Sequence, residues 1–364
     1  MIFPLELSKL YESYYSEYEE AFGKFLRKGM YIDGEYVDRF EKEMANYLGN
    51  AYVVGCGNGT DALEISLRCY EIGLEDEVIT VGNTYYATAR AIVNCGATPV
   101  FCDVDKNALI DVNMIEKCVT TKTKAIMPVH LYGLAANVDV IKNIAQKYDL
   151  KIIEDCSHAF GTRVKGKLIG SDSECACFSL YPTKNIGAFG DAGFVSTNSK
   201  EVAEKIRSRR YYTCDKSREC FQENSMHSRM DSLQAALLLV SLKHIDEWND
   251  QRKRNLSYYI KKFSDNNIPF IEGMKETGIV PYVFPIIVDN QKDFLEYLAN
   301  NNILGQIHYK PLLNTIPHLG MHQCVELPQT EYFNNHVVSI PISPTVNMDE
   351  IKYIADVVCT YFSR

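Results

Sequence analysis

From about residue 51 to residue 200 the chain alternates short apolar runs with stretches whose apolar residues recur at helical spacing. AYVVGCG (51–57) predicts a strand that ends in glycine. Residues 60–72 predict a helix, with Leu63, Leu67 and Tyr70 on one face. DEVIT (76–80) and TPVFCDV (98–104) predict strands on either side of a helix near 85–95. KAIMPVHL (124–131), a helix over 137–148 and KIIEDC (151–156) make the next unit. CACFSLY (175–181) and GFVST (193–197) follow as strands. Alternation of this kind builds an α/β fold with a mostly parallel sheet, because each parallel crossover lays a helix across one face.

Residues 1–50 read as helical and polar with interleaved aromatics. Beyond the alternating region, 199–210 and about 230–263 read as helices, the second long enough to cross between domains. PYVFPIIVD (281–289) predicts a strand, 291–301 a helix, VVSIPIS (337–343) an extended segment and 348–362 a last amphipathic helix. The expected organisation is an N-terminal region and large α/β domain over 1–245, and a small C-terminal α+β domain over 246–364.

Composition narrows the function classes. With 46% apolar and 23% charged residues, the chain has the make-up of an ordinary soluble globular protein. A net charge of −9 argues against nucleic acid as a partner, since a phosphate backbone needs a cationic surface. The twelve cysteines contain no C-x-x-C pair, so they are expected to be buried structural thiols in a reducing cytoplasm. The opening MIFPLELSKLYESYYSEYEE is acidic and aromatic without a basic start, which predicts no signal peptide; no apolar run predicts a membrane span.

In parallel α/β sheets ligands sit beyond the carboxyl ends of the strands, and four such ends carry chemistry. GCGNGTDAL (55–63) is a glycine-rich turn opening a helix, whose free amides and dipole can cradle an anion. Its glycines have G-x-G-x-G spacing, which is not the dinucleotide pattern, and a plain tight turn explains them equally well. In IIEDCSHAFG (152–161), Asp155 ends an apolar strand and His158 follows. A carboxylate there needs a cationic or hydrogen-bonded partner, which a protonated ring nitrogen or the next turn could supply. GNTYYATA (82–89) offers two aromatics, suited to stacking on a flat ring or to core packing. SLYPTKNIGAFGDAG (179–193) sets Lys184 five residues after Ser179 and before three glycines. A desolvated lysine forms Schiff bases, whereas most single lysines extend to solvent. Together the four describe one site: an anion cradle, an aromatic ring, a Schiff-base lysine and a carboxylate for a pyridinium, the mark of a pyridoxal phosphate enzyme.

GNGTDAL, GATPVFCDVD, PVHLYG, EDCSHAFG, FSLYPTKNIGAFGDAG and RMDSLQAALL occur in an order that resembles the DegT/DnrJ/EryC1/StrS sugar-nucleotide aminotransferases, from roughly residue 28 to the end. The resemblance implies the aspartate-aminotransferase-like, type I fold and pyridoxal 5'-phosphate as cofactor, with pyridoxamine phosphate formed in turnover. It implies that Lys184 bonds the cofactor and that Asp155 pairs with the ring nitrogen. His158 would lie beside the ring and Tyr85 would stack on it. Gly59, Thr60 and Ser179 would hold the phosphate. It also implies a homodimer with shared active sites, with Arg229 reaching the partner's cofactor. Tyr31, Tyr181, His227, Arg229, His308 and Tyr309 are the implied substrate contacts. In SMHSRMD (225–231), His227 stands where the family commonly has Asn, and RRYYTCDKS (209–217) lacks the family's glycine; both put substrate identity in question.

The implied reaction moves an amino group from glutamate to a keto group of a nucleotide-linked sugar. GNGTDAL points to C3 of a dTDP-3-keto-6-deoxyhexose. A nucleotide-4-keto-sugar and a UDP-3-keto-hexuronate stay open. A sugar dehydratase on this fold is disfavoured because Lys184 is present and no cysteine set is clustered. A ligand-sensing regulator lacks a basic DNA-binding module on so acidic a chain.

Overall fold

Seven strands line up edge to edge and carry the site at one end. In the computed structural model, which describes residues 1–212, 224–319 and 325–364, they are β1 (Tyr52–Cys56), β2 (Glu77–Val81), β3 (Thr98–Cys102), β4 (Thr123–Ile126), β5 (Lys151–Ile152 continued by Glu154–Asp155), β6 (Ala176–Ser179) and β7 (Gly193–Thr197). The spatial order is β3-β2-β4-β5-β6-β7-β1. The two halves of the sheet join at β5. Its Ile153 and Asp155 amides donate to Ile126 and Pro128 on one side, and its Glu154 and Cys156 amides to Cys175 and Cys177 on the other. Pairing is parallel from β3 to β6; β7 alone runs against its neighbours. The fold is thus the type I α/β architecture with a mostly parallel sheet.

Val78, Ile79 and Val81 of β2, Ala125 and Ile126 of β4, and Ile152 and Ile153 along β5 are buried whichever face they point to, because helices cover both. Phe178 on β6 and Phe194 on β7 stack with ring centres 4.6 Å apart. Cysteines behave as small hydrophobes here: Cys56, Cys69, Cys102, Cys156, Cys175 and Cys177 are buried free thiols, and Cys95 and Cys359 are free and half-buried. Cys118 departs from the expectation of free thiols and is disulfide-bonded. Cys214, Cys220, Cys324 and part of RRYYTCDKS lie outside the described residues.

A helix of 34 residues, Ser232–Asp265, runs about 50 Å along the molecule. Its Trp248 and Leu238 pack under the sheet's β6–β7 side, while Tyr259 and Phe263 pack with Phe284 of the C-terminal part. The residue pair 245/246 falls inside this continuous helix. In the C-terminal part, β8 (Phe284–Ile287) pairs antiparallel with β9 (Val337–Ile340), against helices Gln291–Asn300 and Met348–Phe362. Asn347 and Glu350 close a capping box on the last helix. The first residues join this part: the Ile2 amide donates to Asn302 O at 2.6 Å and Leu304 N to Ile2 O at 3.0 Å.

Candidate active site

At the carboxyl ends of β1, β2, β5 and β6 lies a cavity of about 830 Å³. It brings together Gly59, Thr60, Tyr85, Asp155, His158, Ser179, Tyr181, Lys184, His308 and Tyr309. A second cavity of about 720 Å³, around Asp111, Lys142 and Asp172, contains none of the predicted site residues.

The cradle is a helix start with its side chains pared away. Helix Gly59–Cys69 opens beneath the Asn58 side chain, which accepts from the Asp61 amide at 2.9 Å. The first amides of the helix therefore face the cavity without intrahelical partners. A Cβ on Gly59 would sit 2.6 Å from Ser179 Cβ, and one on Gly193 would sit 2.5 Å from the Asn58 carbonyl. Gly59→Ala is expected to cost about 1–3 kcal/mol of stability through this overlap and to weaken cofactor binding. Urea unfolding and a pyridoxal phosphate titration check both.

Lys184 follows β6 in a tight loop, its amide donating to Tyr181 O at 2.8 Å. The glycines after it serve the loop rather than the lysine's reach. A Cβ on Gly187 would meet Pro182 O at 2.3 Å, and one on Gly190 would meet Gln234 Nε2 at 3.1 Å. The Lys184 side chain borders the open cavity, yet protein closely surrounds its ammonium. Its Nζ lies 4.9 Å from the centre of the Tyr282 ring. Burial lowers its pKa to about 8, against the opposing pull of Asp155. A lysine so shifted is penalised in the fold wherever it is charged. The penalty is full below pH 8 and fades between pH 8 and 10.5. Cofactor-free protein should therefore gain stability relative to Lys184→Met across that window. Paired urea midpoints that run parallel through it would contradict the shift.

Asp155 is buried, and hydrogen bonds fix its orientation. Oδ2 accepts from Thr88 Oγ1 at 2.9 Å and Oδ1 from the Ser157 amide at 3.1 Å. Thr84 and Thr88, one helical turn apart, bond to each other at 3.1 Å. Among the described residues no lysine or arginine forms an ion pair with Asp155. A buried carboxylate left this way favours a bound cation.

His158 is buried, and its imidazole is held neutral, well below the usual range, by burial and by the neighbouring Lys184 and His308 charges. Burial also holds the Tyr309 phenol protonated. Tyr309 Oη and His158 Nε2 are 2.6 Å apart. With the phenol donating, the imidazole proton sits on Nδ1, a buried atom with no partner among the described residues. Tyr282 lies against the other side of His158, ring centres 4.1 Å apart.

Three predicted contacts are not in this chain's cavity. Tyr31 is 53% exposed and packs on Phe25. His227 bridges to Tyr211 and stacks on Tyr212, ring centres 5.5 Å apart. The Arg229 guanidinium lies over the Tyr211 ring. Their neighbour Ser228 instead supports the cradle, accepting from the Gly57 amide at 2.9 Å and reaching Asp61 Oδ2 at 2.5 Å.

Sequence reasoning missed Thr88, Tyr282, Arg252 and the segment Phe3–Leu5, all of which contact this site. The signal for Thr88 was available: it falls in the first turn of the helix that follows β2, where a hydroxyl can reach the strand ends. Tyr282 looked like strand core, and Arg252 lay hidden in a charged helix.

The residues fit pyridoxal phosphate. The cradle is walled where a Cβ would fill it, and Lys184 is the amine in the same cavity; among the described residues Asp155 has no ion-pair partner and His158 Nδ1 no hydrogen-bond partner. Fold and site together define a type I pyridoxal phosphate aminotransferase. The chain belongs to the DegT/DnrJ/EryC1/StrS aminotransferase family, which it matches over residues 13–359. It is therefore a pyridoxal-phosphate-dependent sugar-nucleotide aminotransferase. It is 39% identical over 98% of both chains to a dTDP-3-amino-3,6-dideoxy-alpha-D-galactopyranose transaminase from Aneurinibacillus thermoaerophilus. It is 35% identical to a UDP-N-acetyl-3-dehydro-alpha-D-glucosamine 3-aminotransferase from Acidithiobacillus ferrooxidans, over 92% of this chain and 91% of that one. A crystal structure of S. venezuelae DesV in complex with a ketimine intermediate superposes with a TM-score of 0.94. It is 33% identical, over 99% of this chain and 98% of that one.

Proposed function

We propose that the protein transfers an amino group from glutamate to C3 of a dTDP-linked 3-keto-6-deoxyhexose, in the cytoplasm. The observation that carries the reaction is the placement of Lys184 and Asp155 in one cavity, the amine shifted to a pKa of about 8 and the carboxylate without a cation. Support for C3 comes from two relatives of different nucleotide, dTDP and UDP, whose names share a 3-amino or 3-dehydro position. The dTDP choice follows the more similar of the two.

When bound, pyridoxal phosphate supplies a carbonyl for amine exchange and a ring that accepts electron density. The chain does the rest. Gly59, Thr60 and Ser179 bind the phosphate. Asp155, aligned by Thr88 and Ser157, holds a proton on the ring nitrogen. His158 donates from Nδ1 to the ring hydroxyl, and Tyr85 covers the ring. Lys184 Nζ would act as the acid–base group, taking a proton from one reacting carbon and delivering it to the other, substrate carbon to cofactor carbon or the reverse. Tyr181, His308 and Tyr309, which border the same cavity, are assigned to the sugar.

Tyr31, His227 and Arg229 are assigned to the partner's site in a homodimer. An apolar patch around Tyr31 supports this: Phe22 is 41% exposed, Leu26 47%, Met30 48% and Ile32 55%.

Incubation of the holoenzyme with glutamate and nucleotide keto-sugars tests the proposal. The expected product is a 3-amino sugar nucleotide with 2-oxoglutarate released. Faster amination of a 4-keto-sugar or a UDP-linked sugar would overturn the substrate assignment.

A further inference from the structure

Arg252 stands in the middle of the long helix, in DQRKRN, where a charged face would ordinarily meet solvent. It does not. Arg252 is 2% exposed, and it borders the catalytic cavity. The contacts it makes are weak for a buried guanidinium. Nη1 reaches the carbonyls of Pro281 and Tyr282, each at 3.4 Å, and Nε is buried without a partner. Among the described residues no carboxylate pairs with it. A buried ion is costly to keep unless a counter-charge completes it. Among the described residues the chain provides none.

We propose that Arg252 is the anchor for a carboxylate of the amino donor. The inference rests on the aminotransferase reading above and adds a donor subsite to it. Three observations favour a carboxylate over the other anions the enzyme meets. The cofactor phosphate has its own cradle, at the start of helix Gly59–Cys69. A nucleotide diphosphate carries two or more charges and is strongly hydrated, whereas Arg252 is a single cation enclosed by protein. A lone guanidinium matches a lone carboxylate in charge and in fork geometry. Arg252 also lies next to the chemistry: the residue whose carbonyl it holds, Tyr282, presents its ring to Lys184 Nζ at 4.9 Å. Polar groups that border the same cavity, Gln306 and Ser343, can complete a carboxylate's hydrogen bonds.

The rival role is structural: Arg252 could simply tie the Pro281–Tyr282 backbone to the helix. The two roles separate in the kinetics. Arg252→Gln holoenzyme is expected to raise the KM for glutamate and the dissociation constant of 2-oxoglutarate by at least about 10-fold, the worth of one charge-assisted hydrogen bond. The KM for the nucleotide keto-sugar should stay within about twofold. Arg252→Lys, which keeps the charge but loses the fork, should recover part of the loss. It also serves as the test protein if the Gln variant does not fold. Three outcomes overturn the proposal. One is unchanged 2-oxoglutarate binding in a folded variant. Another is an equal rise in both KM values. The third is a loss of thermal stability with no change in either. If wild-type enzyme itself neither consumes glutamate nor binds 2-oxoglutarate, the donor reading fails, and that result is distinct from a failure of Arg252.

Discussion

Lys184→Ala holoenzyme should lose turnover by more than about 10⁴-fold, the upper range of a single positioned acid–base group. The loss should appear in both half-reactions, donor to cofactor and cofactor to keto-sugar, because the same proton transfer occurs in each. Lys184→Arg is expected to be as inactive. A guanidinium keeps the charge, but it does not give up a proton at neutral pH. Burial prepares the native amine for this work by lowering its pKa to about 8, so a substantial neutral fraction exists near physiological pH. The fold itself should tolerate the change. The Lys184 loop is held by backbone bonds, from Lys184 N to Tyr181 O and from Ala188 N to Leu180 O, and by glycines that allow the turn. Circular dichroism and a urea curve for the alanine variant establish that an inactive protein is still a folded one. Turnover within tenfold of wild type would remove Lys184 from the mechanism.

The second large effect falls on Asp155. Asp155→Asn should lower kcat by about 10³-fold, since breaking a buried charge pair costs about 3–5 kcal/mol and each 1.36 kcal/mol is tenfold in rate. Stability should move the other way. In cofactor-free protein this carboxylate is buried with hydrogen bonds from Thr88 and Ser157, and among the described residues it has no ion-pair partner, only the weaker pull of Lys184, so a neutral amide relieves a desolvation cost. The cofactor-free variant is therefore expected to be at least as stable as wild type, while the cofactor adds less stability to it on binding. Thermal melts with and without pyridoxal phosphate, beside steady-state rates, separate the two effects. Thr88→Val should show a smaller rate loss of the same sign, because it removes one of the two bonds that aim the carboxylate. A variant that is catalytically intact, or one that unfolds without cofactor, would contradict the assigned role of Asp155.

How much of this was legible in the chain differs by element. The parallel strands could be read because apolar runs between helical repeats have few other solutions. The strand-end rule then led to Gly59, Asp155, Ser179 and Lys184, which the sheet does bring to one cavity. The glycines after Lys184 look like room for a ligand, but Gly187 and Gly190 are small because Pro182 and Gln234 are in the way. Arg252 was illegible for a different reason. Its neighbours Asp250, Lys253 and Arg254 are polar, and only the packing of the long helix against the C-terminal part turns that one residue inward. Tyr31, His227 and Arg229 lie outside their own chain's cavity, and for His227 and Arg229 only the family resemblance, not the local pattern, pointed to a partner. A single chain's pattern does not encode which surfaces a second copy covers.

The central claim is that the Lys184 amine is the group that bonds the cofactor. Borohydride treatment of the yellow holoenzyme, followed by peptide mapping, tests it directly. The colour should bleach, and the reduced cofactor's mass should be found on the peptide carrying Lys184, in near-stoichiometric yield. A colourless holoenzyme, or a label on any other lysine, would contradict it.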